Sequence, residues 1–244
     1  MLETHTIFDN ETAGTSRPAA RRVTDIKEAV RDRNRVNIYI DDKFFCSLDI
    51  SQVVDLHVKI DRKYTAEELE ELKRASDFGK FYARALEYVL MRPHSTKEIR
   101  DYLKRKTLDR KIRVKNRKTG EYSTQLKKGY DASLVPLVLN RLDERGYLND
   151  RRFAELWVEN RNVSKGTSTK KLRIELQQKG IDASIINEVL SESGRDEKAE
   201  LRKIIARKAS KYPEQQKLLQ YLLRQGFNYS DISEELSSME SSSV

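Results

Sequence analysis

The sequence has few of the residues that active sites and metal centres need. Its 244 residues include one cysteine, three histidines and nine glycines. A single cysteine, Cys46, excludes an intramolecular disulfide and gives no sign of an oxidising compartment. The histidines His5, His57 and His94 lie too far apart to suggest a metal site. No glycine-rich phosphate loop and no serine, histidine and acid grouping is present, so we expect neither catalysis nor a cofactor.

Long apolar runs are also missing. No stretch approaches the ~18 consecutive apolar residues that a membrane-spanning helix needs, and the first ten residues lack the features of a secretory leader. We therefore expect a cytoplasmic protein without a membrane partner. The hydrophobic content of 37% and the mean hydropathy of −0.76 are low for one large core, and they favour several small helical bundles.

One short pattern occurs three times in the chain. It begins at Gly129, Gly180 and Gly226, and each glycine is followed by an apolar residue and then by Asp or Asn. Glycine suits the left-handed conformation that ends a helix, and Asp or Asn caps the next helix. The spacings of 51 and 46 residues indicate a helical repeat array. Such arrays usually bind other molecules.

The residues before each glycine extend the repeat. Apolar pairs four residues apart precede the second and third glycines, and Ile99 with Leu103 forms the same pair in the first repeat. There, however, 22 residues separate the expected glycine position from Gly129. Within them apolar and polar residues alternate on both sides of a turn at 118–121, which predicts an inserted β-hairpin with one cationic face.

We therefore predict a mainly α-helical fold. It is an elongated array of three tandem three-helix repeats, with a small N-terminal β-hairpin segment and a basic β-hairpin inserted in repeat one. The expected parts are a disordered N-terminus (1–20), a small β-rich segment (21–64), a connecting helix (65–79), repeat one (80–148, with the hairpin at 108–128), repeat two (149–193), repeat three (194–238) and a tail (239–244). Leu90 and Trp157 are expected on apolar helix faces, where core packing explains Trp157 better than base stacking does.

The net charge of +9 is unevenly distributed. Residues 65–128 contain 18 basic and 10 acidic residues and so carry +8 of it. A second basic cluster lies within 161–179, where Glu175 is the single acid. A charged helix face is often only a solvated face, but this asymmetry favours a polyanion or an acidic protein surface as the partner. The hairpin residues expected to bind are Lys111, Arg113, Lys115, Arg117 and Lys118.

Several stretches also resemble a known family. Residues 85–90, 92–95 and 98–103 resemble the first repeat of RecX, the bacterial regulator of the RecA recombinase. Residues 142–154 are similar to the most recognisable stretch of that family, and so is the segment from Lys170 to Gly180. Together these motifs cover about 81–182 and extend to 238 through the third repeat. The 22-residue insertion is not part of the family's minimal pattern.

The resemblance implies a regulator without enzymatic activity. Family members are helical repeat proteins that lie in the groove of the RecA filament on single-stranded DNA. They restrain its recombinase, ATPase and co-protease activities, and so temper DNA repair and the SOS response. By matching motif positions, the expected contacts are Arg152, Arg161, Lys165, Lys170, Lys171 and Arg173. We expect a monomer whose partners are the RecA filament and, through the basic clusters, single-stranded or double-stranded DNA.

A different class of function stays open. The basic helices and the hairpin could bind DNA phosphates directly, without any recombinase. Affinity that falls steeply with salt would distinguish this alternative, because each phosphate contact releases counterions. A nuclease would need an acidic metal cluster that the sequence lacks.

Overall fold

The computed structural model describes residues 20–30, 32–116, 118–160 and 166–241. The chain divides between Phe81 and Tyr82 into two compact units. The described residues form ten helices and six strands. The prediction of a mainly helical chain with strands near its N-terminus is confirmed.

The first unit is built on a four-stranded antiparallel sheet. Its spatial order is β3-β2-β1-β4, and the two central strands are the longest. The strands are β1 (Arg21–Ala29), β2 (Asp32–Ile40), β3 (Lys43–Asp49) and β4 (Lys63–Tyr64). Alternating runs at 23–29, 36–40 and 44–48 in the sequence predict the first three, whereas β4 and the short helix α1 (Ile50–Asp55) were not predicted.

A tight turn fixes the register of the hairpin β2-β3. Both turn residues, Asp41 and Asp42, have positive φ angles of 47° and 61°, as a type I′ turn requires. The buried face of the sheet packs against residues of the following segments. This core consists of Val23, Ile38, Ile40, Cys46, Leu48, Val58, Tyr64, Leu69 and Leu72. Cys46 is therefore a packing residue.

Helix α2 (Ala66–Met91) is one continuous helix of 26 residues. It starts with a reciprocal cap, since the Thr65 hydroxyl accepts from the Glu68 N–H and the Glu68 carboxylate accepts from the Thr65 N–H. The sequence predicts two helices here, meeting at residues 79 and 80. The structure has no break at Gly79, which lies within the helix. Leu90, expected in the core, is 66% exposed.

The second unit contains the remaining helices and a two-stranded antiparallel sheet. The helices are α3 (Thr96–Lys106), α4 (Leu134–Glu144), α5 (Asp150–Asn160), α6 (Thr169–Gln178), α7 (Ala183–Glu192), α8 (Glu197–Lys208), α9 (Gln215–Arg224) and α10 (Tyr229–Ser241). The strands are β5 (Arg110–Lys115) and β6 (Tyr122–Lys127). None of the described helices is both long and apolar enough to cross a bilayer.

Consecutive helices bury separate small cores. Helices α5, α6 and α7 enclose Phe153, Leu172, Leu176 and Ile186 among others. Trp157 packs at the edge of this core, in agreement with its prediction as a packing residue. Helices α8, α9 and α10 enclose a second core, formed by Leu201, Ile204, Ile205, Leu218, Leu222, Phe227, Ile232 and Leu236.

Successive groups of helices are joined by the same kind of contact. The Ser95 hydroxyl caps α3 by accepting from the Glu98 N–H, and it donates to the Lys179 carbonyl at 2.7 Å. The Ser168 hydroxyl caps α6 in the same way and donates to the Gln225 carbonyl at 2.6 Å. A hydroxyl has one proton and two lone pairs, so it can fill both roles.

Glycine ends the second helix at each junction. Gly180 and Gly226 have φ angles of 78° and 94°, which confirms their predicted left-handed conformation. A Cβ on Gly180 would lie 2.8 Å from the Cβ of Lys97, and one on Gly226 would lie 2.9 Å from the Ser168 Oγ. Both glycines therefore also allow neighbouring helix ends to approach closely.

Gly129 has a different role from the one predicted. It follows a strand rather than a helix, and it is absent from the glycines with positive φ. A Cβ there would lie 2.1 Å from the Thr107 carbonyl oxygen. Glycine is therefore needed so that the backbone at 129 can approach the backbone at 107. The Tyr130 N–H also donates to the Lys106 carbonyl at 3.1 Å. The segment 108–128 therefore leaves and rejoins the helical framework at one place.

Candidate partner and nucleic-acid interface

The strands β5 and β6 form a hairpin rich in cations. Pairing of Lys111 with Leu126, of Arg113 with Thr124 and of Lys115 with Tyr122 sets their register. Because side chains alternate across a strand, Lys111, Arg113 and Lys115 share one face. All three are exposed. The structure thus brings together three of the five hairpin residues that the sequence predicts as contacts.

An aromatic ring lies on the same face. The Arg113 guanidinium carbon is 4.3 Å and the Lys115 Nζ 5.8 Å from the centre of the Tyr122 ring, and Tyr122 is 56% exposed. Cations held over a ring in this way can contact phosphate while the ring stacks on a base. Lys118 is exposed in the turn, and Arg117 lies outside the described residues.

Two predicted contacts on α5 and α6 are exposed. Arg152 has 59% of its side chain accessible and pairs with Glu155 at 3.2 Å. Exposed ion pairs of this kind are weak, so Arg152 can exchange its partner easily. Lys170 is exposed in the first turn of α6, where it lies beside Gly226.

The other predicted contacts on α6 make internal bonds. The Lys171 Nζ donates to the Gln225 side-chain oxygen at 2.6 Å, across the junction between helix groups. The Arg173 guanidinium donates to the Asn187 side-chain oxygen on α7. The remaining two predicted contacts, Arg161 and Lys165, lie outside the described residues.

A half-buried carboxylate, that of Glu98, lies at the first junction. Glu98 accepts from the Lys179 Nζ at 2.6 Å and from the Arg92 guanidinium at 3.1 Å, and it lies 3.3 Å from the His94 Nδ1. Burial alone would raise the pKa of Glu98, but the two cationic donors outweigh it and lower the pKa to about 2. Burial and the nearby Arg92 lower the pKa of His94, against the opposing effect of Glu98.

Sequence reasoning missed a cavity at the base of the hairpin. It has a volume of about 120 Å³ and is here named the basic cavity. Its lining residues are Arg84, Arg105, Lys106, Leu108, Arg110, Lys127, Lys128, Gly129 and Tyr130. The basic run at the end of α3 and the hairpin bases are visible in the sequence, but the contribution of α2 is not.

In the described ranges of the chain, no three His, Cys, Asp or Glu side chains are grouped so that they could hold a metal ion. The candidate residues are instead cations and one aromatic ring, an arrangement suited to binding anions.

Two family models match separate parts of the chain. The model for the "Regulatory protein RecX N-terminal domain" matches residues 21–64, which contain the four-stranded sheet. The model for "RecX, second three-helix domain" matches residues 149–190, which contain α5, α6 and α7. This chain belongs to the RecX family.

Curated RecX proteins align with most of the chain. The regulatory protein RecX of Bacillus licheniformis is 28% identical over 218 residues, covering 86% of this chain and 74% of the relative. That of Bacillus subtilis is 27% identical over 225 residues, covering 89% and 77%. That of Listeria monocytogenes is 27% identical over 213 residues, covering 84% and 71%.

Solved RecX structures share the fold. The crystal structure of a regulatory protein RecX superposes with a TM-score of 0.67 at 20% identity, covering 87% of this chain and 97% of that one. RecX from Lactobacillus salivarius gives a TM-score of 0.51 at 23% identity, covering 68% and 98%.

The candidate contacts fall into two classes within this RecX protein. Arg152, Lys170, Lys171 and Arg173 lie inside the matched second three-helix domain, 149–190. The hairpin β5-β6 lies outside both matched ranges.

Proposed function

We propose that this RecX protein binds the RecA filament on single-stranded DNA and inhibits its ATPase, strand-exchange and co-protease activities, in DNA repair and SOS control. Membership of the RecX family carries the proposal, together with relatives that are named regulatory proteins. The role in RecA regulation comes from the family resemblance. The protein acts by binding and needs no catalysis of its own.

The binding surface in this proposal is an array of three three-helix repeats, at 80–148, 149–193 and 194–238. The matched contacts of Ser95 and Ser168 with the helix ends of the following groups support it. A repeat array buries a small core in each unit and leaves a long surface for a partner. A filament offers a partner of matching, repetitive form.

Exposed cations on the second repeat are the proposed filament contacts. Arg152 and Lys170 are accessible in their present positions. Lys171 and Arg173 must share or exchange their internal hydrogen bonds to contact a partner. Arg161 and Lys165 complete this proposed surface from the sequence alone.

The decisive experiment measures RecA-catalysed ATP hydrolysis on single-stranded DNA while this protein is titrated in. RecA from the same organism is used, and DNA binding by this protein alone is measured in parallel. Inhibition at concentrations well below those that bind DNA supports action on the filament. Inhibition only at concentrations that coat the DNA, or none at all, contradicts the proposal.

The cationic face of the hairpin favours a second candidate, direct DNA binding without a recombinase. In this alternative Lys111, Arg113 and Lys115 contact phosphates beside Tyr122. A protein that uses six or more phosphate contacts loses roughly three orders of magnitude in affinity between about 50 and 200 mM salt. A filament binder that relies on protein contacts loses far less, so the salt dependence separates the two functions.

Removal of the hairpin tests its own contribution. A variant lacking 108–128 joins Thr107 to Gly129, which are already in contact. If the hairpin contacts DNA or the filament, the variant binds at least one of them more weakly while its helical content stays intact. Unchanged affinity for both would mean that the hairpin only covers repeat one.

A further inference from the structure

The basic cavity gathers positive charge from three separate elements. Arg84 comes from α2, Arg105 and Lys106 from the last turn of α3, and the other cations from the hairpin. Six of its nine lining residues are basic and none is acidic. Side chains that approach from three directions can surround an anion, whereas a cationic stripe on a single helix cannot.

The cations around the cavity have few partners of opposite charge. Arg84 pairs with the exposed Glu87 at 2.9 Å. The carboxylate of Asp109 is close in sequence, but it accepts from the Gly129 N–H at 2.9 Å. Among the residues that the structure describes, no acid forms an ion pair with the five other lining cations, which are Arg105, Lys106, Arg110, Lys127 and Lys128.

The fold holds these cations together against their mutual repulsion. Arg110 and Lys127 are directly opposite each other in the hairpin register, and like charges in that position destabilise a pair of strands. Lys106 is half-buried. Burial lowers its pKa, and Arg110, Arg84, Arg105 and Lys127 lower it further. An anion in the cavity would relieve this repulsion.

A structural explanation accounts for only part of the cluster. Bases in the last turn of a helix stabilise the negative end of its dipole, and α3 ends with Lys104, Arg105 and Lys106. That effect explains the α3 residues. It does not explain why α2 and the segment 108–128 add four further cations at the same place.

We propose that the basic cavity binds a phosphate group of a nucleic-acid backbone. Arginine offers a planar fork of donors to phosphate oxygens, and the cavity has room for more than the ~10–15 Å³ that one water needs. A phosphoryl group could also come from a free nucleotide. The polymer is favoured because the six lining cations exceed the charge of a single phosphate, whereas a strand brings successive phosphates to them.

This inference deepens the second candidate function and rests on it, since it assigns a phosphate site for direct nucleic-acid binding, and it does not depend on action at the RecA filament. Its test therefore contains no RecA, and failure here leaves the ATPase experiment unaffected. Conversely, a chain that fails to inhibit RecA can still bind nucleic acid through the basic cavity.

The test compares two variants of the full-length chain that lose the same charge. Arg105→Gln with Arg110→Gln removes two lining cations from two elements. Arg100→Gln with Lys104→Gln removes two exposed cations of α3 that do not line the cavity. Binding of a labelled oligothymidylate is measured by fluorescence anisotropy from about 50 to about 200 mM salt.

The cavity variant is expected to bind the oligothymidylate about tenfold more weakly than the wild type. Its plot of log affinity against log salt should also lose about 0.7 in slope, the value for one phosphate contact on a single strand. The α3 control should change affinity by less than about twofold at the same slope. Equal losses in the two variants would overturn the proposal, because net charge alone would then explain the binding.

A second variant and a competition experiment complete the test. Lys127→Gln with Lys128→Gln removes two other exposed lining cations, and it provides the same comparison if the first variant unfolds. ATP and inorganic phosphate are titrated against the bound oligothymidylate. Competition only at concentrations far above that of the oligonucleotide supports the backbone assignment. Equally tight binding of ATP, lost in the cavity variants, would overturn it in favour of a nucleotide site.

Discussion

The Ser95 hydroxyl donates a 2.7 Å hydrogen bond to the carbonyl oxygen of Lys179, which lies 84 residues further along the chain. One side chain thus caps the start of α3 and satisfies a carbonyl at the end of α6. The last carbonyls of a helix have no partners within that helix. The contact therefore links the two helix groups and also provides an acceptor with its missing donor.

Ser168→Ala is expected to reduce the free energy of unfolding by about 1 to 3 kcal/mol. The change removes a helix cap, worth about 1 kcal/mol, and leaves the Gln225 carbonyl without its donor. Urea unfolding of the full-length chain measures the loss. Ser191→Ala, on the exposed surface of α7, is the control and should change the value by less than about 0.5 kcal/mol. Equal effects would contradict a special role for Ser168.

Glu200→Ala should reduce the free energy of unfolding more than Ser168→Ala does. Glu200 pairs with Arg195 at 2.7 Å, and their side chains are only 8% and 13% exposed. Its carboxylate also accepts from the Thr167 N–H at 3.0 Å. Removal of one partner leaves a buried charge uncompensated, which costs about 3 to 5 kcal/mol.

The matched control for Glu200→Ala is Glu234→Ala. Glu234 pairs with Lys198 on the surface and is 64% exposed, so its loss should change the free energy of unfolding by about 0 to 1 kcal/mol. Chemical denaturation measures both variants. Similar values for the two would show that the Arg195 charge is screened by solvent.

Stability is expected to fall in acid in two stages. The folded state lowers the pKa of His94 below its ordinary value of 6.5. As pH falls, His94 is therefore protonated in the unfolded chain before it is protonated in the folded one, and the stability of the folded state declines below about pH 6.5. The pKa of Glu98 is lowered from 4.5 to about 2. By the same reasoning, the contribution of Glu98 to the free energy of unfolding is present above about pH 4.5 and is lost as pH falls toward 2.

Urea midpoints measured between about pH 7 and pH 3 test this dependence. Glu98→Gln cannot titrate and should lose the lower stage. Glu87→Gln, on the exposed surface of α2, is the control and should keep both stages. If Glu98→Gln still loses stability in the lower pH range, other carboxylates are responsible for that loss.

Gly129→Ala is expected to destabilise the protein by about 3 kcal/mol, at the upper end of the effect of overpacking. The new Cβ would lie 2.1 Å from the Thr107 carbonyl oxygen, and a backbone atom cannot rotate away as a side chain can. The neighbouring Lys128→Ala alters only an exposed side chain and should be nearly neutral. Thermal unfolding compares the two, and unchanged stability of Gly129→Ala would show that the segment shifts freely.

Local signals in the sequence predict much of the fold. Ser95 and Ser168 mark the starts of α3 and α6 because a serine cap is a property of adjacent residues. Gly180 and Gly226 end helices in the predicted left-handed conformation for the same reason. The strands near the N-terminus follow from alternation of apolar and polar residues.

Features that depend on distant contacts could not be predicted. Gly129 matches the repeated pattern, but its role is set by Thr107, 22 residues earlier. The sequence alone predicts Lys171 as a surface cation available to a partner, whereas in the structure it donates to the Gln225 side chain. The basic cavity draws on residues from Arg84 to Tyr130, and only the packing of α2, α3 and the hairpin brings them together.

The closed base of the segment 108–128 has a practical consequence. Since Thr107 and Gly129 are in contact, the helices on either side do not depend on how many residues the intervening loop contains. Loop tips with small and polar residues tolerate insertions well, and Gly120 at the hairpin tip has open space around it. A fluorescent reporter grafted at the tip would therefore leave the helical cores intact and would sense the surroundings of the hairpin itself.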